Sequence, residues 1–487
     1  MQRVKDIKNL NKLNIRELRH SFSVILASSV SVSLLINTKL FPLWGDDYLL
    51  WRSHTFYGGM ASDLDSSIFQ VGQQKYRPVF QIAITFLLKI FENNPIPFML
   101  INVALLLATG LVLGSIINLQ NNNLKLSLIA GLLLVSSSRF TWYATANIYG
   151  VMETLSTLFV LMFIKTFLVA LNQENYSLYL KASALFTLAI YTHERYILVG
   201  VFASIFFFVK NGNNPSKVRF FAYLPFLSVI TNFLIKELVL KVNILQGSGT
   251  NIADSSLSDT ALSIAGNLPR SFFVLLGFSS YGITIWFKIV IAMFAFSLAI
   301  FIYARITKNS LTFNSKETLK DQSFGFLVVM LLGSLVPGIL ENNIQERFLL
   351  VPYLLGSAAL FMFFSRIDQK YVVSKMFITV VLVISIFYIP FRFSYNYNEN
   401  SARKVYEMLN VELNQESKEP WFLIIQNFGV SLWFIGYPIN FDPGSLSQFE
   451  NPPIIFWAGP NLPIDPEKKC LLLIVDPLYL PQVQKCP

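Results

Sequence analysis

Charge is scarce in this sequence: 14% of its 487 residues are Asp, Glu, Lys or Arg, where a soluble chain of average composition carries about 25%. That shortage excludes an ordinary water-soluble enzyme. Histidine is scarcer still, with three residues, His20, His54 and His193, whose spacing assembles no His-based metal site. No Gly-rich phosphate-cradling loop occurs, which argues against a cytoplasmic nucleotide-sugar donor. No Pro/Gly/Ser-rich linker interrupts residues 21 to 391. The roughly three soluble domains that length alone would suggest therefore reduce to one membrane domain and a tail. The two cysteines, Cys470 and Cys486, both lie in that tail. An oxidising compartment would permit a disulfide between them, and two free thiols fit equally well, because nothing in the sequence sets their separation.

Apolar surface is abundant instead. Hydrophobic residues make up 54% of the chain, 45 residues are Phe, and mean hydropathy is +0.52. They gather in runs near or above the roughly 17 to 25 residues that span a bilayer. The first run, residues 21 to 41, is long enough to span and lacks a small-residue cleavage pattern, so it reads as a retained anchor. Further spans are expected at 97–118, 124–139, 150–171, 178–192, 196–210, 220–240, 282–304, 323–340, 348–365 and 372–391, which makes eleven. The run at 79–91 has thirteen residues. At 1.5 Å per residue it reaches about 20 Å, short of a hydrocarbon core of roughly 30 Å, so we read it as a helix lying at the interface.

The net charge of +10 comes from 38 Lys and Arg scattered between apolar runs, with no continuous basic surface, so nucleic acid is not the partner. Their placement follows the positive-inside rule. Residues 1–20 carry Arg3, Lys5, Lys8, Lys12, Arg16 and Arg19, and the loops Lys210 to Arg219, Arg305 to Lys320 and Arg366 to Lys375 are also basic. These four segments are expected in the cytoplasm. Residues 42–96, 139–149, 192–195, 241–281, 341–347 and 392–487 are then exoplasmic. The expected fold is an all-α polytopic membrane domain over 21–391. A small exoplasmic α/β domain over 392–487 follows, where WFLIIQ (421–426) and CLLLIVD (470–476) have strand length.

Ionisable groups beside apolar spans are costly and mark function. The outer loop 42–96 opens with WGDDYLLWR, holding Asp46 and Asp47, and closes with QQKYRPVF, holding Lys75, Tyr76 and Arg77. A carboxylate at the membrane surface can take a proton from an incoming hydroxyl, and a second carboxylate beside it raises its pKa toward that task. Asp at this position would also serve as a helix N-cap. Lys75, Arg77, Arg195 and Arg347 sit at the mouths of different spans on the same face. Together they could bind a phosphate or pyrophosphate; any one alone could simply snorkel to headgroups. Two of them have acidic neighbours, in His193-Glu194-Arg195 and Glu346-Arg347. This combination suits a substrate with a lipid tail and an anionic head, a polyprenyl phosphate sugar, with phosphate as leaving group and an aspartate activating the acceptor. The polar loop 241–281 reads as a connector or as a mobile lid over that site.

In order and sidedness these features resemble the GT-C superfamily of polyprenyl-phosphate-sugar glycosyltransferases, over roughly residues 20 to 365. WGDDY is similar to the acidic motif of that superfamily's first outer loop, which implies a catalytic-base role for Asp46, although Asp-Asp stands here for the Asp-Glu of the mannosyltransferases and leaves Asp47 open as the base. YRPV resembles the motif before an interfacial helix and implies that Lys75 or Arg77 approaches the donor phosphate, with Tyr76 between them. FTWYATANIYGVMETL resembles a segment in which a polar or acidic residue faces the active site, here Asn147 or Glu153. THERY stands where relatives place a charged pair, here with His193 and Glu194 beside Arg195, and ERFLLVPYL, with Glu346 and Arg347, resembles their RYLYLP-type segment. The resemblance implies an inverting glycosyltransferase of a bacterial inner membrane that acts on a protein, lipid or glycan acceptor. No cofactor is expected, and a loosely held divalent cation on Asp46 and Asp47 stays open. The competing readings are another lipid-linked transferase or a polysaccharide polymerase, an O-acyltransferase resting on His193, and a lipid-linked substrate transporter. A transporter would show internal repeats and helices broken near the bilayer midplane.

Overall fold

The computed structural model describes residues 21–33, 35, 76–91, 94–121, 123–137, 141, 150–173, 175–211, 220–241, 318–340, 346–367, 422–427, 454–458, 470–475 and 482–485. Up to residue 367 these residues are helical. In chain order the helices are α1 (Ser21–Ser33), α2 (Pro78–Phe91), α3 (Pro95–Asn121), α4 (Leu124–Ser137), α5 (Gly150–Gln173), α6 (Tyr176–Thr192), α7 (Ile197–Asn211), α8 (Leu224–Leu234), α9 (Thr318–Leu340) and α10 (Leu350–Ile367). Among the described residues, three segments are long and apolar enough to cross a membrane: Ile96–Leu119, Gly150–Gln173 and Phe221–Leu240. Shorter apolar helices occupy Ser21–Ser33, Pro78–Phe91, Leu124–Ser136, Ser323–Val336 and Leu350–Phe363. This is the architecture of a helical membrane protein. In hydrocarbon each backbone N–H and C=O must be satisfied within its own helix. The expected spans at 282–304 and 372–391 lie outside the described residues.

Asparagine caps helix starts at both ends of the bundle, with Asn94 accepting from the Ile96 N–H at 3.1 Å at the start of α3. The Asn123 side chain accepts from the Leu126 N–H at 3.2 Å at the start of α4, and Asn175 accepts from the Ser177 N–H at 2.9 Å as the N-cap of α6. Each cap satisfies one of the backbone donors a helix N-terminus leaves open. Side-chain contacts fix how the chain alternates. Tyr176 of α6 meets Phe221 just before α8, and Phe324 of α9 meets Phe363 of α10. The ends of α3, α5, α7 and α10 and the starts of α4, α6 and α9 therefore share one end of the bundle, with Phe221. The starts of α3, α5, α7 and α10 and the end of α6 lie at the other.

Helix α2 lies across that second end. It runs for 14 residues, and only three residues separate it from the start of α3. Phe80, Ile84 and Leu88 of α2 pack with Phe98 at the start of α3 and with Val151 and Met152 at the start of α5. A helix that traversed the bundle could not touch two helix starts along its whole length. Its opposite face, with Ile82, Phe86 and Ile90, is exposed and apolar.

The core is aromatic. Phe163, Phe167, Tyr179, Phe186, Phe207 and Phe326 are buried from four helices, and Phe167 stacks on Phe326 with centroids 5.4 Å apart. Large apolar side chains also cover the outside, such as Val209 at 78% and Phe220 and Leu238 at 69% exposure. That surface suits lipid and not water. Polar contacts tie neighbouring helices: Thr187 to Ser228 at 2.8 Å, Thr154 to Asn102 at 3.4 Å and Ser136 to Ser31 at 3.3 Å.

The expected span at 220–240 is helical throughout, but not uniformly α. A 3-10 turn, Phe221–Tyr223, precedes α8, and a π turn, Ile235–Leu240, follows it. The Lys241 N–H returns to the Lys236 carbonyl from a left-handed backbone, φ 55°. The wider turn brings both Lys236 and Leu240 into the protein interior.

In the tail the described residues form four strands, β1 (Phe422–Asn427), β2 (Ile454–Ala458), β3 (Cys470–Val475) and β4 (Gln482–Lys485), in the order β2-β1-β3-β4. β1 runs parallel to β2 and β3, whereas β4 pairs antiparallel with β3. β1 and β3 coincide with the two strand-length runs. Cys486 lies outside the described residues.

α3 and α4 form a tight antiparallel pair because both carry glycine at their crossing. A Cβ on Gly114 would come 2.6 Å from the Ser127 carbonyl oxygen, and one on Gly131 would collide with the backbone of Gly110 and Gly114. Gly131→Val should therefore cost about 1–3 kcal/mol by overpacking, read as a lower thermal midpoint of the detergent-purified protein. An unchanged midpoint would show that the helices do not approach this closely.

Candidate functional site

At the end of the bundle crossed by α2, four chain segments place ionisable side chains together and a fifth adds the Phe348 ring. They are the residue before α2, the first turn of α5, the turn between α6 and α7, the π turn after α8 and the turn before α10. The sequence builds the central piece by interrupting a helix. His193 ends α6 in extended backbone, φ −149°, and the 3-10 turn Glu194–Tyr196 follows before α7 resumes. That break turns three consecutive polar residues inward, leaving His193 2%, Glu194 6% and Arg195 5% exposed.

Glu153 and Arg195 form the firmest contact. Both guanidinium nitrogens donate to both carboxylate oxygens, each at 3.0 Å, and neither side chain is more than 3% exposed. This bidentate fork is the strongest form of a charged hydrogen bond. The Arg195 guanidinium also lies 3.9 Å from the centroid of the Phe348 ring, a cation–π contact that docks the turn before α10 on the cluster. The His193 Nε2 is 2.8 Å from an Arg195 nitrogen, and its Nδ1 is 3.3 Å from the Arg195 backbone N–H. Nδ1 is the acceptor for that backbone N–H, so the ring caps the 3-10 turn that carries Arg195.

Glu194, next in the chain to Arg195, faces other partners. Its Oε2 is 2.5 Å from the Lys236 Nζ and its Oε1 is 3.7 Å from Arg77. Neither oxygen makes a directed hydrogen bond. Arg77 also reaches the Met152 sulfur at 3.3 Å. Tyr76 packs edge-on against Tyr191, with centroids 5.6 Å apart, and beside Leu240. Burial pushes the Tyr76 hydroxyl pKa up, so the phenol stays protonated at neutral pH. Below the cluster, the Tyr196 hydroxyl lies 3.5 Å from that of Thr157.

Of the residues expected from sequence, the structure thus brings together Arg77, Tyr76, Glu153, His193, Glu194 and Arg195. Glu346 and Arg347 lie in the 3-10 turn Glu346–Leu349, whose Phe348 covers Arg195. Asp46, Asp47, Lys75 and Asn147 lie outside the described residues, as do residues 242–281 of the expected lid. The neighbours His193-Glu194-Arg195 do not pair as adjacency suggested: Arg195 takes its carboxylate from Glu153 on another helix, and Glu194 takes cations from α8's π turn and from the residue before α2. Sequence reasoning missed Lys236. The signal was available, because Lys236 interrupts the apolar run 220–240, and a cation inside a span is functional by default.

No model of a known protein family matches the chain, and no curated protein matches it.

Breaking a buried ion pair by removing one partner costs about 3–5 kcal/mol, while replacing both by apolar residues is often neutral. Glu153→Leu should therefore lower the thermal midpoint sharply, and the double variant Glu153→Leu/Arg195→Leu should recover most of the loss. A single variant as stable as the parent chain would show that the pair is not buried as described.

Proposed function

We propose that the chain is an integral-membrane glycosyltransferase that moves a sugar from a polyprenyl-phosphate donor to an acceptor hydroxyl at the charged end of the bundle. One observation carries this reading: four separate segments of an otherwise apolar bundle converge charged side chains on a single end, beside a helix lying across it. A ligand served by that end has an anionic head and an apolar tail. The proposed architecture is a GT-C-like bundle of about eleven spans, with the charged end exoplasmic, the N-terminus cytoplasmic and an α/β tail outside a bacterial inner membrane. The basic segments Lys210 to Arg219, Arg305 to Lys320 and Arg366 to Lys375, which adjoin in sequence the helix ends of the opposite side, support that orientation.

In the proposed reaction, Asp46 or Asp47 takes the proton of the acceptor hydroxyl as its oxygen attacks the anomeric carbon. The bond from that carbon to the phosphate oxygen breaks, its electron pair leaves with the phosphate, and the sugar inverts. The leaving group gains negative charge as the bond breaks, so cations fixed beside it stabilise the transition state more than the ground state. Lys75, Arg77 and Arg347 are the cations proposed for direct contact. The Arg195 fork is closed by Glu153, so Arg195 is a positioning residue that holds the 193–196 turn in place. Glu346 and Asn147 are proposed to line the same end.

The test is transfer of labelled sugar from a polyprenyl phosphate donor in detergent. Asp46→Asn and Asp47→Asn should each be compared with the parent chain, and loss of the base should lower turnover about 100- to 10,000-fold. Full turnover by both variants would sink the general-base role. Separately, cysteines introduced at positions 46, 195 and 347 should label from one common side of the membrane.

A further inference from the structure

The two buried acids at the charged end are held in different ways. Glu153 is locked by a bidentate fork, both contacts at 3.0 Å. Glu194 sits between Lys236 and Arg77 with no directed hydrogen bond to either oxygen and with its Arg77 contact at 3.7 Å. A carboxylate held by charge alone between two cations from different segments occupies the place that a stronger anion would take.

A second observation lies one turn along α8. Asn232 is fully buried, and both polar atoms of its carboxamide lack a hydrogen-bond partner. Leaving a buried amide unsatisfied is expensive. Asn232 and Lys236 are four residues apart and both buried, so they share one helix face. That face thus combines an ammonium with an amide that can donate and accept, next to a loosely held carboxylate.

We propose that Lys236, Arg77 and Asn232 form an anion seat that Glu194 fills when no substrate is bound, and that the phosphate of the lipid-linked substrate displaces Glu194 from it. This rests on the glycosyltransferase reading and assigns residues and an internal competitor to its phosphate site. A phosphate offers two oxygens at a spacing close to that of a carboxylate and, as the released monoester, a charge of about −1.5 to −2. It therefore outcompetes a single carboxylate. Asn232 donates to a phosphate oxygen, which relieves the unpaired amide. Because the seat holds the monoester more tightly than the diester donor, it favours the charge that develops as the sugar leaves.

The experiment titrates the full-length, detergent-purified chain with farnesyl phosphate, inorganic phosphate and farnesol, and reads affinity and thermal midpoint. Farnesyl phosphate should bind, inorganic phosphate should bind more weakly and farnesol should not bind. Lys236→Ala should weaken farnesyl phosphate at least about tenfold, with Lys236→Arg restoring most of it. Glu194→Gln should lower the midpoint of the empty protein yet tighten farnesyl phosphate severalfold. Asn232→Leu should raise the midpoint and weaken binding. A purely structural network shares the stability changes and differs in affinity: Glu194→Gln loses stability without binding farnesyl phosphate more tightly, and Asn232→Leu gains stability without binding it more weakly. Either of those results overturns the proposal, as does binding of inorganic phosphate as tight as that of farnesyl phosphate. The sugar-transfer assay separates the two ideas. Transfer that depends on Asp46 or Asp47, together with an unchanged Glu194→Gln affinity, leaves the glycosyltransferase reading and removes the seat. The predicted affinity pattern without any sugar transfer does the reverse.

Discussion

The Glu153–Arg195 pair is the constraint on which the charged end depends. Two ions inside an apolar bundle lose several kcal/mol each in desolvation, and only a fork with both oxygens and both nitrogens engaged offsets that. The pair clamps the first turn of α5 to the break between α6 and α7, and its guanidinium carries Phe348 and hence the turn before α10. Once that break is held, Glu194 can point only toward the residues before α2 and in the π turn after α8. The geometry of the second ion cluster is thus inherited from the first.

The two ends of the bundle are built from different chemistry. At one, Asn123 and Asn175 cap the starts of α4 and α6, and aromatic pairs join α6 to Phe221 and α9 to α10. At the other, beside the Asn94-capped start of α3, a break, a π turn and two 3-10 turns interrupt the helices and charged side chains fold inward. The waist between them is held by aromatic packing and by the glycine contact of α3 with α4. Irregular backbone is costly where lipid surrounds it, so its concentration at one end, beneath α2, marks that end as the one where protein chemistry rather than lipid sets the environment.

Much of this was legible in the sequence, for local reasons. Helix limits followed from polar breaks: the expected spans at 178–192 and 196–210 correspond to Tyr176–Thr192 and Ile197–Asn211, because THERY cannot continue an apolar helix and Asn175 caps the start. The short reach of the 79–91 run anticipated a helix that does not traverse the bundle, and α2 lies across its end. Arg77, Glu153, His193, Glu194 and Arg195 stood out because charge is so rare. Lys236 was passed over because the span was read as a uniform cylinder, whereas the π turn is a departure in backbone that residue type does not announce.

By itself the sequence determined that this chain is a helical membrane protein, where most of its helices begin and end, and which of its few charges deserved attention. Those properties depend on composition and on contiguous runs. Which charge meets which was decided only by the tertiary structure. Glu194 and Arg195 are adjacent yet serve different partners, and Arg195 finds its carboxylate 42 residues away. Helices such as Pro95–Asn121 are apolar all round, so no periodic stripe states which face turns inward. That choice falls to non-local packing: the close approach of glycines, the interlocking of aromatic rings and the requirement that every buried ion end beside an opposite charge.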